Sequence, residues 1–189
     1  MPKRKTEKLA VLVIGPECSA TRLTTRLLIH AGCVGNAEAE GQPEYQGWPQ
    51  RFDVEDPGAE KAVVLRRTLP YHPRREWPDL AALVKRLKSW ERTVKVIVTI
   101  RSAECNARSL IAKAYCSNLE VARQELDRVY SEISDMCTDM DFSEFPYDVF
   151  VDDPCVVYQE LCEFVGLKYP GDMPEDIYDG NAKYMEGAE

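Results

Sequence analysis

The stretch "VLVIGPECSATRLTTRLL" (Val11–Leu28) predicts a strand, a tight turn and a helix in direct succession. The segment Lys8–Gly15 is almost entirely apolar and rich in β-branched residues, which is typical of a strand buried on both faces of a parallel sheet. After the turn, Leu23, Leu27 and Leu28 recur at helical spacing. Because a helix N-terminus presents unpaired N–H groups and a positive dipole end, the turn is predicted to bind an anion.

The rest of the chain continues this alternation of strands and helices. Two further β-rich apolar runs, Lys61–Pro70 and Thr93–Ile100, enclose an amphipathic helix predicted over Pro78–Trp90. A short fourth strand is predicted over Tyr147–Asp153, followed by a helix over Pro154–Leu167. This pattern favours a three-layer α/β fold, with a parallel central sheet and right-handed crossovers.

Length and composition favour one compact intracellular domain. The 189 residues suit a single domain over 1–189, with residues 1–7 and about 185–189 expected to be flexible. A net charge of -8 disfavours a general nucleic-acid coat but leaves open a nucleic acid as the acceptor of a transferred group. Seven scattered cysteines without a CxxC pair predict reduced thiols in the cytoplasm and no zinc site. No apolar run is long enough to span a membrane, so no membrane partner is expected, and an oligomer remains open.

The turn itself, "GPECSATR" (Gly15–Arg22), has the chemistry of a phosphate loop. Ser19 and Thr21 supply hydroxyl groups, and Arg22 supplies a cation. The Walker A pattern would place glycine at Ala20 and lysine at Thr21. Because that lysine contacts the β- and γ-phosphates, this P-loop-type turn is poorly equipped for γ-phosphoryl transfer. The alternative is a strand–turn–helix connection that binds no ligand.

The string "CSATR" resembles the 5′-phosphosulfate loop of the sulfotransferase superfamily, in which a lysine or arginine is commonly followed by S-G-T and then threonine or arginine. Ser19, Thr21 and Arg22 match this pattern. Cys18 stands at the basic position, and Ala20 stands at the glycine position, where a positive φ would strain it. The resemblance implies that these five residues bind 3′-phosphoadenosine 5′-phosphosulfate (PAPS).

A second match lies in "VIVTIRSAECNARSLI", where Arg101 ends an apolar run and Ser109 follows eight residues later. An arginine that leaves a strand end and a hydroxyl two helical turns further can converge on one phosphate. Sulfotransferases hold the 3′-phosphate of the cofactor with such a pair, so the resemblance implies this role for Arg101 and Ser109. An ordinary surface ion pair of Arg101 is the alternative. Weaker matches are "FVGL" (Phe164–Leu167) and "RRTLP", in which Thr68 stands where the family has histidine.

The resemblance implies transfer of a sulfuryl group from PAPS to a hydroxyl or amine acceptor, without a metal ion. Several sulfotransferases place a catalytic glutamate after the first helix, so Glu40 is the predicted general base, with Glu38 and Glu44 close by. His72 is its rival, because it follows the second strand and its side chain titrates near neutral pH. Arg22 is the predicted catalytic cation.

Two other functions fit the same turn. A P-loop kinase would use ATP with Mg²⁺ on a nucleotide, a nucleic-acid base or a small alcohol, and Asp152 and Asp153 are its candidate metal ligands at a strand end. A non-catalytic relative would bind a nucleotide only. The string "DGNAKY" (Asp179–Tyr184) is interpreted as an irregular end or, by the resemblance, as a segment that folds over the nucleotide.

Overall fold

The computed structural model describes residues 8–35, 62–70, 77, 79–175, 177 and 179–185. Its strands are β1 (Leu9–Pro16), β2 (Val63–Leu69), β3 (Thr93–Ile100) and β4 (Phe142–Pro146). Its helices are α1 (Thr21–His30), α2 (Leu80–Ser89), α3 (Ala103–Ala112), α4 (Leu119–Cys137), α5 (Tyr147–Asp152), α6 (Pro154–Val165) and α7 (Ala182–Met185).

The four strands form one parallel sheet in the order β2-β1-β3-β4, which confirms the predicted α/β class. The chain passes from β1 to β2 on one side and then returns to place β3 on the other side of β1. The carboxyl ends of β1 and β3 therefore flank the point at which the strand order reverses. In open α/β sheets, ligands bind in the crevice at this point.

Helices cover both faces of the sheet. On β1, Val11 and Val13 pack into a cluster with α1, α5 and α6, whereas Leu12 and Ile14 pack into a second cluster with α2 and α4. Burial of both faces explains why β1 reads as a continuous apolar run. A smaller apolar cluster joins α3 to α4. None of the helices in the described part of the chain combines the length and the apolarity needed to cross a bilayer.

The predicted fourth strand over Tyr147–Asp153 is wrong. The strand β4 ends at Pro146, directly before this segment, and residues 147–152 form the helix α5. Tyr147 and Phe150 are both buried, because three-residue spacing places them on one helical face, and the Phe150 ring lies 5.3 Å from the ring of Phe145. The aromatic and β-branched residues that suggested a strand are therefore core residues of a short helix.

Helix starts divide into two kinds. Asp79, Ser102, Asn118 and Asp153 each accept a hydrogen bond from a backbone N–H in the first turn of α2, α3, α4 and α6. The helix α1 begins instead at Ala20, which has no side chain that can accept such a bond. Among the described helices of ten or more residues, α1 is the one whose N-terminus lacks a side-chain cap.

Candidate anion-binding site

The turn between β1 and α1 contains two residues in the left-handed conformation. Cys18 has φ 67° and Ala20 has φ 76°, so the position that the family pattern gives to glycine does adopt a positive φ. The backbone N–H of Ser19 donates to the carbonyl of Pro16 at 3.2 Å and closes the turn. Alternation of ordinary and left-handed residues gathers successive N–H groups around one concavity, which is a geometry that binds anions.

The first turn of α1 adds its own N–H groups to this concavity. Thr21, its first residue, is buried, whereas Arg22 is exposed beside it. The hydroxyls of Thr24 and Thr25 donate to the carbonyls of Ala20 and Thr21, at 3.2 and 2.8 Å, and so are used within the helix. With no side-chain cap at Ala20, the N–H groups at this end can donate to water or to an external anion.

Ser19 supports the turn from inside. Its buried hydroxyl lies 2.7 Å from the Pro16 carbonyl and 2.6 Å from Thr99 Oγ1 on β3. A Cβ atom on Gly15 would come within 2.0 Å of Thr99 Oγ1, so only glycine permits this approach. A hydroxyl has a single proton to donate, and that of Ser19 faces the sheet. The side chain of Ser19, which the sequence predicts to bind the ligand, therefore supports the turn in this structure.

Arg101 leaves β3 and reaches the turn. Its side chain is only 8% exposed. Nη1 donates to the carbonyl of Cys18 at 2.7 Å, Nε donates to Asn181 Oδ1 at 2.7 Å, and Nη2 donates to the carbonyl of Gly180 at 2.8 Å. A guanidinium group has five N–H donors, so these three bonds leave two for another acceptor.

Ser109 and Arg101 meet the same C-terminal segment. Tyr184 donates its hydroxyl proton to Ser109 Oγ at 3.1 Å, and its ring lies 5.6 Å from the Arg101 guanidinium carbon. The ring of Tyr147 lies 5.4 Å from the same carbon. The two residues that the sequence paired are thus bridged by Tyr184.

This C-terminal segment is held by a network centred on α5. Gly180 N donates to the Tyr147 hydroxyl at 2.6 Å, and Asn181 Nδ2 donates to Asp148 Oδ1 at 2.5 Å. The other oxygen of Asp148 accepts from Ser102 N at 2.6 Å. Sequence reasoning missed Tyr147 and Asp148, because it assigned them to a strand rather than to the helix that meets the segment.

Glu17 is a third residue of the site that sequence reasoning missed. Its Oε1 accepts a hydrogen bond of 2.7 Å from Thr68 Oγ1, at the carboxyl end of β2. Glu17 and Thr68 are both partly exposed, and Thr68 pairs in register with Gly15. The available signal was the acidic residue itself, since a carboxylate is unexpected in a turn that binds anions.

The other predicted residues divide into two groups. Glu40, with Glu38 and Glu44, and His72 lie outside the described residues. Asp152 ends α5 and Asp153 caps α6 by accepting from Val156 N, so the prediction that they end a strand is wrong. Within the described ranges, no group of three or more His, Cys, Asp and Glu residues is arranged to hold a metal ion.

No protein-family model matches the sequence, and no curated protein shows significant similarity to it. The site is therefore interpreted from its own geometry. It joins an uncapped helix N-terminus, a turn with two left-handed residues and a buried arginine at the reversal point of a parallel sheet. This arrangement suits an anionic ligand that carries more than one charged group.

Proposed function

We propose that the protein binds PAPS and transfers its sulfuryl group to a hydroxyl or amine acceptor. The observation that carries this proposal is the uncapped start of α1 beside Arg101, at the crevice between β1 and β3. A helix N-terminus without its own cap offers N–H groups to a phosphosulfate. The residues that carry the resemblance to sulfotransferases form this turn.

The two anionic ends of the donor match two parts of the site. The phosphosulfate takes the backbone N–H groups of Cys18, Ala20 and Thr21, and Arg22 stabilises the charge that develops on the leaving phosphate. The 3′-phosphate takes the two remaining N–H donors of Arg101 and the hydroxyl of Ser109. Since Tyr184 bridges these two side chains in the structure, nucleotide binding requires it to move aside.

A kinase that uses ATP with Mg²⁺ is the second candidate function, and the same turn is compatible with it. Two observations count against it. Thr21 stands where the lysine that contacts the γ-phosphate belongs. Asp152 and Asp153 lie at helix ends rather than at the end of a strand. A non-catalytic nucleotide-binding relative is distinguished from both only by activity.

The test is calorimetric titration with 3′-phosphoadenosine 5′-phosphate, adenosine 5′-phosphate and ATP with Mg²⁺. We expect the bisphosphate to bind at least about tenfold more tightly than adenosine 5′-phosphate, because charge-assisted hydrogen bonds to the 3′-phosphate contribute. Ser109→Ala should reduce this difference in affinity between the bisphosphate and adenosine 5′-phosphate. Ser117→Ala, in an exposed loop, should leave the difference unchanged. Binding of ATP with Mg²⁺ alone would favour the kinase, and binding of none of the three would overturn the proposal.

A further inference from the structure

The contact between Glu17 and Thr68 gives the turn two chemically different sides. On the β3 side, the Cys18 carbonyl accepts from Arg101, so this side is cationic. On the β2 side, the carboxylate of Glu17, the residue before Cys18, accepts a hydrogen bond from Thr68 Oγ1 at 2.7 Å. Because β2 and β3 flank β1 on opposite sides, the Glu17 carboxylate and the Arg101 guanidinium lie on opposite sides of the anion site.

A carboxylate in this position has an energetic cost when an anion binds. It repels the ligand that the helix N-terminus attracts, and it competes for the same positive potential. A loop selected only for anion binding would place a neutral or basic residue there. Among the described residues, Thr68 is the one hydrogen-bond donor to Glu17, and it engages Oε1. The second oxygen, Oε2, can therefore accept a proton from another group.

The position of the nucleotide determines which side the acceptor uses. With the 3′-phosphate at Arg101 and Ser109, the nucleotide lies toward β3 and its phosphosulfate lies on the turn. In-line displacement requires the acceptor to approach the sulfur from the side opposite the leaving phosphate. That side is the β2 side, where the Glu17 carboxylate lies.

We infer that Glu17 is the general base of the transfer and that Thr68 is a positioning residue that orients its carboxylate. This inference rests on the proposed function. The acceptor hydroxyl loses its proton to Glu17 Oε2 while its oxygen bonds to sulfur. The bond between sulfur and the 5′-phosphate oxygen breaks with its electron pair, and adenosine 3′,5′-bisphosphate leaves as an anion. Glu17 then releases the proton to solvent.

The alternative is a purely structural role, in which the hydrogen bond from Thr68 to Glu17 only holds the turn against β2. The two roles differ in what they need from residue 17. The structural role needs only an acceptor oxygen, which glutamine also supplies, whereas a general base needs a carboxylate. Glu17→Gln therefore separates them with little change in shape or in the hydrogen bond.

Water serves as the acceptor in the test, so that no natural acceptor has to be known. The full chain is incubated with PAPS, release of the bisphosphate is followed, and calorimetry gives its affinity for the same proteins. We expect Glu17→Gln to slow the release catalysed by the protein by at least about 100-fold, with bisphosphate affinity unchanged or tighter. Glu160→Gln, on the exposed face of α6, is the matched control and should change neither quantity.

Conservative substitutions separate a general base from a structural contact. Glu17→Asp keeps a carboxylate and should recover part of the rate that Glu17→Gln loses. Thr68→Val should lower the rate less than Glu17→Gln, since the carboxylate remains.

Each remaining outcome decides against one proposal. Equal release by wild type and Glu17→Gln, or wild-type release no faster than the spontaneous reaction despite bisphosphate binding, would overturn the role of Glu17 and leave the proposed function standing. Failure of the wild-type protein to bind the bisphosphate would overturn the proposed function itself.

Discussion

Arg101 Nη1 donates to the carbonyl oxygen of Cys18 at 2.7 Å, and this bond joins the end of β3 to the turn after β1. The same guanidinium group holds Gly180 and Asn181 of the C-terminal segment. Arg101 is therefore both a support of the turn and a candidate phosphate ligand. Substitution of Arg101 would change both at once.

Ala20→Gly should stabilise the protein by up to about 1 kcal/mol, because an L-residue in the left-handed conformation is strained by roughly 1–2 kcal/mol and glycine returns part of this as chain entropy. Urea denaturation monitored by circular dichroism measures the change. Bisphosphate affinity should be retained or improved, since the turn keeps its shape.

Ala114→Gly is the matched control for Ala20→Gly. Ala114 also has a positive φ, of 58°, but it is exposed after α3. It should stabilise the protein similarly and leave nucleotide affinity unchanged. If Ala20→Gly instead weakened binding of the bisphosphate, the geometry of this turn would be wrong for a phosphate site.

Gly15→Ala should lower the free energy of unfolding by about 1–3 kcal/mol, because the added Cβ overlaps the hydroxyls that support the turn. The closest contact is Thr99 Oγ1 at 2.0 Å, followed by Ser19 Oγ at 2.5 Å. Thr99→Ala removes the closer oxygen. In a double-mutant cycle, the loss in Gly15→Ala/Thr99→Ala should be smaller than the two single losses combined, and simple additivity would show that the Cβ does not meet Thr99.

Tyr184→Ala should tighten binding of 3′-phosphoadenosine 5′-phosphate, because Tyr184 contacts both Arg101 and Ser109, the residues proposed to bind the 3′-phosphate. Binding of adenosine 5′-phosphate, which lacks that group, should change less. Calorimetry on both ligands gives the comparison. Weaker binding of the bisphosphate would show that Tyr184 covers the bound nucleotide and does not compete with it.

Thiol labelling of the native protein should begin at Cys155, which is exposed on α6. Cys33, Cys137 and Cys162 are buried, and burial raises their thiol pKa to about 12, 11 and 11. They should therefore react only after unfolding, because the thiolate is the reactive form. The fast phase should disappear in Cys155→Ser, and fast labelling of Cys33 in the native protein would contradict its place in the core.

Glu104→Gln should destabilise the protein slightly at pH 7, and this difference should shrink as the pH falls through the folded-state pKa of Glu104. Hydrogen bonds from Arg123 and Arg108 lower the pKa of Glu104 below its ordinary value of 4.5. A folded-state pKa below the unfolded value adds stability at neutral pH, and this stability is lost as the pH falls through the folded pKa. Urea denaturation of the wild type and Glu104→Gln at a series of pH values measures the difference in their free energies of unfolding. The difference at pH 7 should shrink in high salt, because this ion-pair cluster lies at the surface.

The local elements were largely predictable from the sequence. The runs that became β1, β2 and β3 are apolar and β-branched because both faces of a parallel sheet are buried. Pro154 and Gly166 mark the two ends of α6, and each does so through its backbone conformation alone. The segment at 147–152 was not predictable in this way, since its aromatic and β-branched residues suit a buried strand and a buried helix face equally.

The candidate site was only partly predictable. The sequence by itself determined that a small-residue turn without a Walker lysine joins a buried strand to a helix, because periodicity and turn chemistry are local properties. Only the tertiary structure decided that Thr68 lies on Glu17 and that Gly180 lies on Arg101, pairs separated by 51 and 79 residues. The reason is physical: the local pattern reports which side chains are buried, whereas strand order and helix docking select the partners that each polar group meets.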